Sequence, residues 1–268
     1  MSRKRRLVVR PKKALGQHFL HDRHTAMKIV DGLLVQEGKS LQLLEIGPGM
    51  GVLTRLLIHR ADIELTVIEI DRDSVAYLKE HKLLGDERII EGDFLQTDLS
   101  GIFPGHFSII GNFPYNISSQ IFFRVLDFRR RIDQVVCMLQ KEVAERIASK
   151  QGSKVYGILS VLLQAYYDIE MLFKVSPGVF HPPPKVMSAV IRLTRNQRVT
   201  LACDEKLFVQ VVKQGFNNRR KTLRNALKNL NLAATVSSLS LLDRRAEQLT
   251  VDEFIYLTKL IEKSRGDS

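Results

Sequence analysis

Cysteine is scarce in this chain of 268 residues. Cys137 and Cys203 are the two present, and neither has a second cysteine or a histidine at ligand spacing, which argues against a disulfide scaffold and a structural zinc site. Long apolar runs are missing too. The most apolar stretch, Ile158-Leu159-Ser160-Val161-Leu162-Leu163, is far shorter than a bilayer requires. The basic N-terminal residues are followed only by Leu7-Val8-Val9 before Arg10-Pro11, so no secretory signal is expected and a cytoplasmic protein is. Internal repeats and low-complexity segments are absent beyond the N-terminal arm. Acidic residues are absent from two places: the arm, which carries Arg3, Lys4, Arg5, Arg6, Arg10, Lys12 and Lys13, and the segment 213–228.

What is present starts with charge. Lysine and arginine number 41 against 29 aspartates and glutamates, a formal charge of +12, and the two acid-free patches concentrate it. A polyanionic partner explains this balance, although a solvated basic surface would look alike. With 44% hydrophobic and 26% charged residues, the chain has the composition of a globular protein. Its length suits a large domain plus a small one.

From about residue 26 to 140, strand-like and helix-like segments alternate. Strands are expected over 41–46, 64–70, 88–90, 107–110 and 134–139, and helices over 27–34, 52–59, 74–82 and 119–126. This is the pattern of an α/β doubly wound, mainly parallel sheet covered on both faces. A helix over 156–167 and strands over 169–175 and 188–193 follow, the strands separated by Pro177-Gly178 and His181-Pro182-Pro183-Pro184. Beyond residue 197 the character is helical, with 205–229 the longest pattern. The expected organisation is an arm over 1–25, an α/β domain over 26–197 and a small all-helical domain over 198–268.

Four candidate groups fall where strands should end, and open α/β sheets bind ligands outside the carboxyl ends of their strands. Glu45-Ile46-Gly47-Pro48-Gly49-Met50-Gly51 is a glycine turn between a strand and a helix, and glycine lets backbone approach a ligand closely. Its third glycine comes one position early for the dinucleotide fingerprint, and Pro48 removes an N–H that a pyrophosphate would use. A neutral or zwitterionic ligand suits the turn better than NAD. Glu69, in Val67-Ile68-Glu69-Ile70-Asp71, is placed to accept ribose hydroxyls, whereas Asp71 and Asp73 read as a turn and a helix cap. In Gly92-Asp93-Phe94, Asp93 can accept from an adenine amino group.

The fourth group is Asn112-Phe113-Pro114-Tyr115. The lone pair of an adenine amino group is delocalised into the ring, so alkylating it requires holding the nitrogen closer to tetrahedral geometry. An Asn side-chain oxygen and a Pro carbonyl can each accept one N6–H bond while an aromatic ring stacks on the base. Asn and Pro are also common turn formers, so these four residues alone leave a turn and an amide clamp both open. Together, the four groups describe S-adenosylmethionine poised against adenine. Transfer from an activated sulfonium is an in-line displacement that needs positioning more than acid–base machinery, in keeping with the absence of a catalytic His, Cys or metal cluster in the sequence.

The chain resembles the ribosomal RNA adenine N6-dimethyltransferases, in their bacterial KsgA/RsmA branch, over almost its whole length. The residues that carry the resemblance are Lys12-Lys13-Ala14-Leu15-Gly16-Gln17-His18-Phe19-Leu20, the glycine turn, Gly111-Asn112-Phe113-Pro114-Tyr115-Asn116-Ile117-Ser118, Val179-Phe180-His181-Pro182-Pro183-Pro184-Lys185-Val186 and Arg219-Arg220-Lys221-Thr222-Leu223-Arg224-Asn225. The resemblance implies a Rossmann-like class I methyltransferase domain, with Gln17, His18 and Leu20 closing over S-adenosylmethionine and Gly47 and Gly49 near its methionine part. Glu69 would hold the ribose, Asp93 the adenine, and Asn112 and Pro114 the target amino group, with Asn112 also bordering the cofactor. Tyr115 would stack on the target base and Phe180 would face it from the other side. The implied substrate is a pair of adjacent adenosines in the 3′-terminal hairpin of 16S rRNA, each methylated twice, in an immature 30S subunit, by a monomer without metal or membrane. The family often has Asn where this chain has His18, and Leu where it has Phe113; both changes are expected to tune affinity.

If 205–229 is one helix, Arg220, Arg224 and Lys228 share a face for phosphate, and Phe216, Leu223, Leu227 and Leu230 lie towards another. With the resemblance, whose motif spans 219–225, Arg219, Arg220, Lys221 and Arg224 are the expected RNA contacts. Three other functions compete. An Erm-type 23S rRNA methyltransferase would use the same clamp, and a non-catalytic RNA-binding assembly factor would keep the fold without turnover. An NAD-dependent dehydrogenase is disfavoured by the misplaced third glycine.

Overall fold

The computed structural model describes residues 9–230 and 232–266; Arg3, Lys4, Arg5 and Arg6 of the basic arm lie outside them. The elements run β1 (Phe19–Leu20), α1 (Arg23–Val30), β2 (Leu41–Ile46), α2 (Thr54–Leu57), β3 (Ile63–Glu69), α3 (Arg72–Glu80), β4 (Ile89–Glu91), α4 (Leu99–Ile102), β5 (Phe107–Asn112), α5 (Ser118–Asp127) and β6 (Ile132–Gln140). They continue with α6 (Lys141–Ala148), α7 (Ile158–Gln164), β7 (Tyr167–Val175), β8 (Phe180–His181), β9 (Ser188–Arg195), α8 (Glu205–Asn217), α9 (Leu223–Ala226), α10 (Ala234–Ser237) and α11 (Val251–Gly266).

A seven-stranded sheet has the order β4-β3-β2-β5-β6-β9-β7. Pairing is parallel from β4 to β6 and antiparallel between β6 and β9. Consecutive residues of the central strands are buried, including Leu43, Leu44, Glu45 and Ile46 of β2, so both faces are covered. One apolar cluster joins Leu43, Val67, Ile110, Val136 and Val190 of the strands to Ala26, Ile29, Leu57 and Leu78 of the helices. Helix starts follow capping chemistry. Asp22 accepts from Thr25 N at 2.7 Å, Asp98 from Ser100 N at 2.9 Å and Asp204 from Leu207 N at 2.6 Å.

The chain divides into two compact units, one ending at Ala144 and resuming over Glu170–Arg195, the other made of Glu145–Ile169 and Asn196–Ser268. The return at Arg195 lies two residues before the expected boundary. Residues 145–169, read from sequence as part of the α/β domain, group with the second unit, where α7 packs on α8. Helix α6 was not expected from the sequence at all.

The expected helix over 205–229 is broken. Helix α8 ends at Asn217, residues 218–221 form a turn closed by Lys221 N donating to Asn218 O at 2.7 Å, and α9 restarts at Leu223. Asn217 and Asn218 are poor helix formers whose side chains compete for backbone hydrogen bonds. The restart drives Leu223 into the core against Gly215, where an added Cβ would stand 3.0 Å from a Leu223 methyl. The expected stripe of Arg220, Arg224 and Lys228 on one helix face therefore does not exist. Its apolar counterpart is buried all the same, as Leu223, Leu227 and Leu230.

Candidate active site

Parallel register brings the candidate groups together. Ile46 pairs with Ile68, Glu69 with Glu91, and Glu45 with Ile110, so β2, β3, β4 and β5 end side by side. A cavity of about 240 Å³ opens at this edge. Gly47, Gly49, Glu69, Asp93, Asn112, Pro114 and Tyr115 line it, joined by Gln17 and His18 from the arm.

The glycine turn is built on left-handed backbone, with φ +66° at Gly47, +55° at Gly49 and +76° at Gly51. The three differ in what surrounds them. A Cβ on Gly51 would stand 2.5 Å from Leu83, whereas a Cβ on Gly47 would meet nothing within 4 Å. Gly51 thus serves helix packing, and Gly47 keeps open space for a ligand. Glu69 is buried, with Oε2 accepting from Gly49 N at 3.0 Å and Oε1 from Asp71 N at 2.9 Å. Burial raises its pKa, and the two backbone N–H donors oppose that rise. Each oxygen keeps a lone pair. Behind it, Glu45 accepts from Thr54 Oγ1 at 2.7 Å, and burial pushes its carboxyl up to about 8. Asp93 Oδ1 accepts from Leu95 N at 2.9 Å and Oδ2 from Gln96 Nε2 at 2.9 Å, again leaving acceptor capacity.

On the acceptor side, Asn112 Nδ2 donates to His18 O at 2.9 Å. Its Oδ1 has no protein donor among the described residues. The Pro114 carbonyl accepts one long bond from Ile117 N at 3.3 Å and keeps its second lone pair. The Tyr115 hydroxyl meets Ser188 Oγ at 2.5 Å, burial raises its pKa, and its ring centroid lies 5.4 Å from that of His18. Phe113 is buried and packs edge-on against Phe122.

Other expected site residues lie elsewhere. Leu20 and Phe180 pair across β1 and β8, both buried in the apolar core. Neither lines the 240 Å³ cavity; Leu20 borders a small neighbouring pocket with Asn112. Phe180 is only 3% exposed and presents no face to a base in this structure. Arg219 and Arg224 are engaged internally. The Arg219 guanidinium donates to the carbonyls of Ser153, Lys154 and Tyr156. That of Arg224 pairs with Asp243 at 2.7 Å and reaches the carbonyls of Ser237 and Leu239. Arg220 and Lys221 are exposed, without a side-chain partner among the described residues. No three His, Cys, Asp or Glu residues among those described are grouped to hold a metal, and no described helix is long and apolar enough to cross a membrane.

Sequence reasoning missed Asp71 and Lys12. The cap of α3 is Asp71, which the sequence reads as a turn residue, and not Asp73; its carboxylate also receives Lys12 Nζ and, at 3.2 Å, Gln17 Nε2. The available signal was an arm rich in cations and empty of acids, facing the Glu69-Ile70-Asp71-Arg72-Asp73 run.

The chain matches the family model for ribosomal RNA adenine dimethylase over residues 8–263. It is 57% identical to ribosomal RNA small subunit methyltransferase A of Parabacteroides distasonis, covering 97% of this chain and 98% of that one. It is 56% identical to the protein of the same name from Cytophaga hutchinsonii, covering 94% and 98%. Among solved structures, a dimethyladenosine transferase from Plasmodium falciparum aligns with a TM-score of 0.74 over 90% of this chain and 96% of that one, at 24% identity. The 23S rRNA methyltransferase ErmE aligns at 0.65 over 90% and 99%, at 25% identity. The fold is the Rossmann-like class I methyltransferase fold with C-terminal helices, and the chain belongs to the ribosomal RNA adenine dimethylase family.

Proposed function

We propose that this enzyme transfers methyl groups from S-adenosylmethionine to N6 of two adjacent adenosines in the 3′-terminal hairpin of 16S rRNA, each twice, acting as a cytoplasmic monomer on an immature 30S subunit. One observation carries the reading. Asn112 is oriented by donating its Nδ2 proton to His18 O, which leaves Oδ1 free beside the Pro114 carbonyl in the cavity that Gly47, Glu69 and Asp93 also line. Two acceptors and an aromatic ring on one side, and acceptors for a nucleoside on the other, suit a methyl donor facing an adenine.

The residues fit S-adenosylmethionine on the geometry present. Gly47 keeps space where a side chain would intrude, and Glu69 and Asp93 each retain lone pairs for hydroxyl or amino donors. When bound, the cofactor supplies a methyl group already activated on a sulfonium. The protein's part is to hold the acceptor. Asn112 Oδ1 and Pro114 O accept from the N6–H groups, two in the first transfer and the one remaining in the second, and draw the nitrogen lone pair out of conjugation, and Tyr115, fixed by Ser188, stacks on the ring. Neither an amide nor a carbonyl takes up a proton at neutral pH, so both act by orientation, and the proton that the alkylated N6 releases passes to solvent. Of the four cations expected to contact RNA, Arg220 and Lys221 are the two whose side chains have no partner among the described residues.

The small-subunit target is favoured over the 23S alternative by likeness: relatives named for the small subunit reach 57% identity, and the 23S enzyme 25%. The test is transfer of labelled methyl to immature 30S particles, followed by mapping of the modified nucleotides. Asn112→Ala should lower kcat by about 10²–10³, the usual loss for one positioned donor or acceptor at a reacting centre. Labelling that survives unchanged in the variant, or methyl groups mapped to large-subunit RNA, overturns the reading.

A further inference from the structure

The carboxylate of Asp71 has more donors than a helix cap requires. Asp73 N at 3.3 Å and Ser74 Oγ at 3.1 Å belong to α3, the helix it caps. Lys12 Nζ and Gln17 Nε2, the latter at 3.2 Å, come from the arm more than fifty residues earlier. Among the described residues, the caps of α1, α4 and α8, at Asp22, Asp98 and Asp204, receive donors from their own helices alone. Burial separates these cases as well. The Asp71 side chain is 0% exposed, so a bare carboxylate there would be a buried unpaired charge, whereas Lys12 keeps 42% of its side chain in solvent.

The arm between these anchors is a closed turn. Lys12 N donates to Gln17 Oε1 at 2.8 Å, Leu15 N and Gly16 N donate to the carbonyls of Lys12 and Lys13, and Gly16 turns at φ +63°. Ala14, Leu15, Gly16, Gln17 and His18 form one wall of the cavity. Beyond that wall, His18 O holds Asn112 Nδ2, and Phe19 packs where a Cβ of Gly49 would be, 3.0 Å away. Asp71 also reaches the opposite wall, because its own N–H donates to Glu69 Oε1. One residue therefore links the arm, the ribose-facing carboxylate and, through the arm, the amide of the acceptor clamp.

We propose that Asp71 is a positioning residue for cofactor binding, fastening residues 12–18 as a strap across the donor site so that the closed strap and the bound cofactor stabilise one another. It rests on the reading of this cavity as an S-adenosylmethionine site. Lys12 Nζ also meets the exposed Asp73 carboxylate at 2.7 Å, a weaker, solvent-screened hold, so losing the Asp71 fastening loosens the strap without removing any group that touches the cofactor, and affinity falls while the donor site itself stays intact.

The test uses the full-length protein, calorimetric titration with S-adenosylmethionine and hydrogen exchange over residues 12–18. Asp71→Asn keeps the shape and the cap acceptor but weakens the hold on Lys12. It should reduce affinity about tenfold, the worth of one charge-assisted hydrogen bond, and speed exchange across the strap with or without cofactor. Lys12→Met should do the same, and in the double variant the two losses should not add. Ser74→Ala, which removes a donor on the helix side only, should lower Tm without changing either readout. Equal cofactor affinity and equal exchange in wild type and both strap variants overturn the proposal. A wild-type protein that binds no cofactor at all defeats the reading of the cavity, and strap exchange unchanged in Asp71→Asn would then defeat the fastening separately.

Discussion

The C-terminal edge of the sheet and the basic segment after α8 teach opposite lessons about proximity. Gly47, Glu69, Asp93 and Asn112 are far apart in the chain, yet they line one cavity because each follows or ends a strand and parallel register aligns strand ends. Arg219, Arg220 and Arg224 are close neighbours, yet two are consumed by carbonyls inside the C-terminal unit and one is exposed. At the edge, topology fixes position and tolerates a residue or two of error in each element. In the basic segment, position depends on whether a helix continues, and one break at Asn218 changes every face.

The glycine turn offers the most severe way to break the first half of that contrast. Gly51→Ala places a methyl against Leu83 and Leu78 on left-handed backbone and should cost about 2–4 kcal/mol, read as a fall in denaturant midpoint. Gly47→Ala meets no neighbour, so only the backbone term of about 1–2 kcal/mol should appear in stability. Cofactor affinity should instead fall by at least about tenfold, because the methyl enters the open space beside the cavity. A Gly47→Ala protein that binds S-adenosylmethionine as tightly as wild type would show that this end of the turn serves the fold alone.

The second half is sharpened by paired substitutions. Arg219→Ala removes three bonds to backbone carbonyls and should destabilise by about 1–3 kcal/mol while leaving the salt dependence of RNA binding alone. Arg220→Ala should stay within about 0.5 kcal/mol of wild type and reduce the slope of log K against log salt by about one. The reverse result, with Arg219 setting the slope, would return it to the phosphate contacts that the sequence suggested.

These cases also mark what was legible in the sequence. Strand β2 is found over the residues expected, and β3, β4 and β9 are displaced by two residues or fewer, because short apolar runs bounded by glycine or acids have few alternatives. The broken helix was hidden. Asn217 and Asn218 lower helix propensity only slightly, and the decisive event is Leu223 packing on Gly215, a tertiary contact without local trace. Asp71 was half legible: the local sequence marked a turn and a cap at 71 and 73 without giving the cap to Asp71, and its bonds to Lys12 and Gln17 need the fold. Phe180 stands on a strand of two residues, and its pairing with Leu20 buries it; neither could be read from the prolines that follow.

The acceptor side of the edge depends on an antiparallel strand, and the smallest prediction tests that dependence. Ser188 opens β9 opposite Gln140, and its hydroxyl meets the Tyr115 phenol at 2.5 Å, so the end of an unrelated strand fixes the ring that should stack on the base. Tyr115→Phe keeps the ring and loses that bond, a change of about 1 kcal/mol in stability. Transfer should slow less than tenfold, with the loss in KM for RNA rather than in kcat, because the ring still stacks but samples more orientations. Burial holds the Tyr115 pKa above its ordinary value, so the phenol is neutral throughout an assay at pH 6–9 and the two proteins should show the same pH profile. A profile that differs, or a kcat that collapses as in Asn112→Ala, would mean that the hydroxyl takes part in chemistry, and the contrast between a ring that positions and an amide that activates would fail.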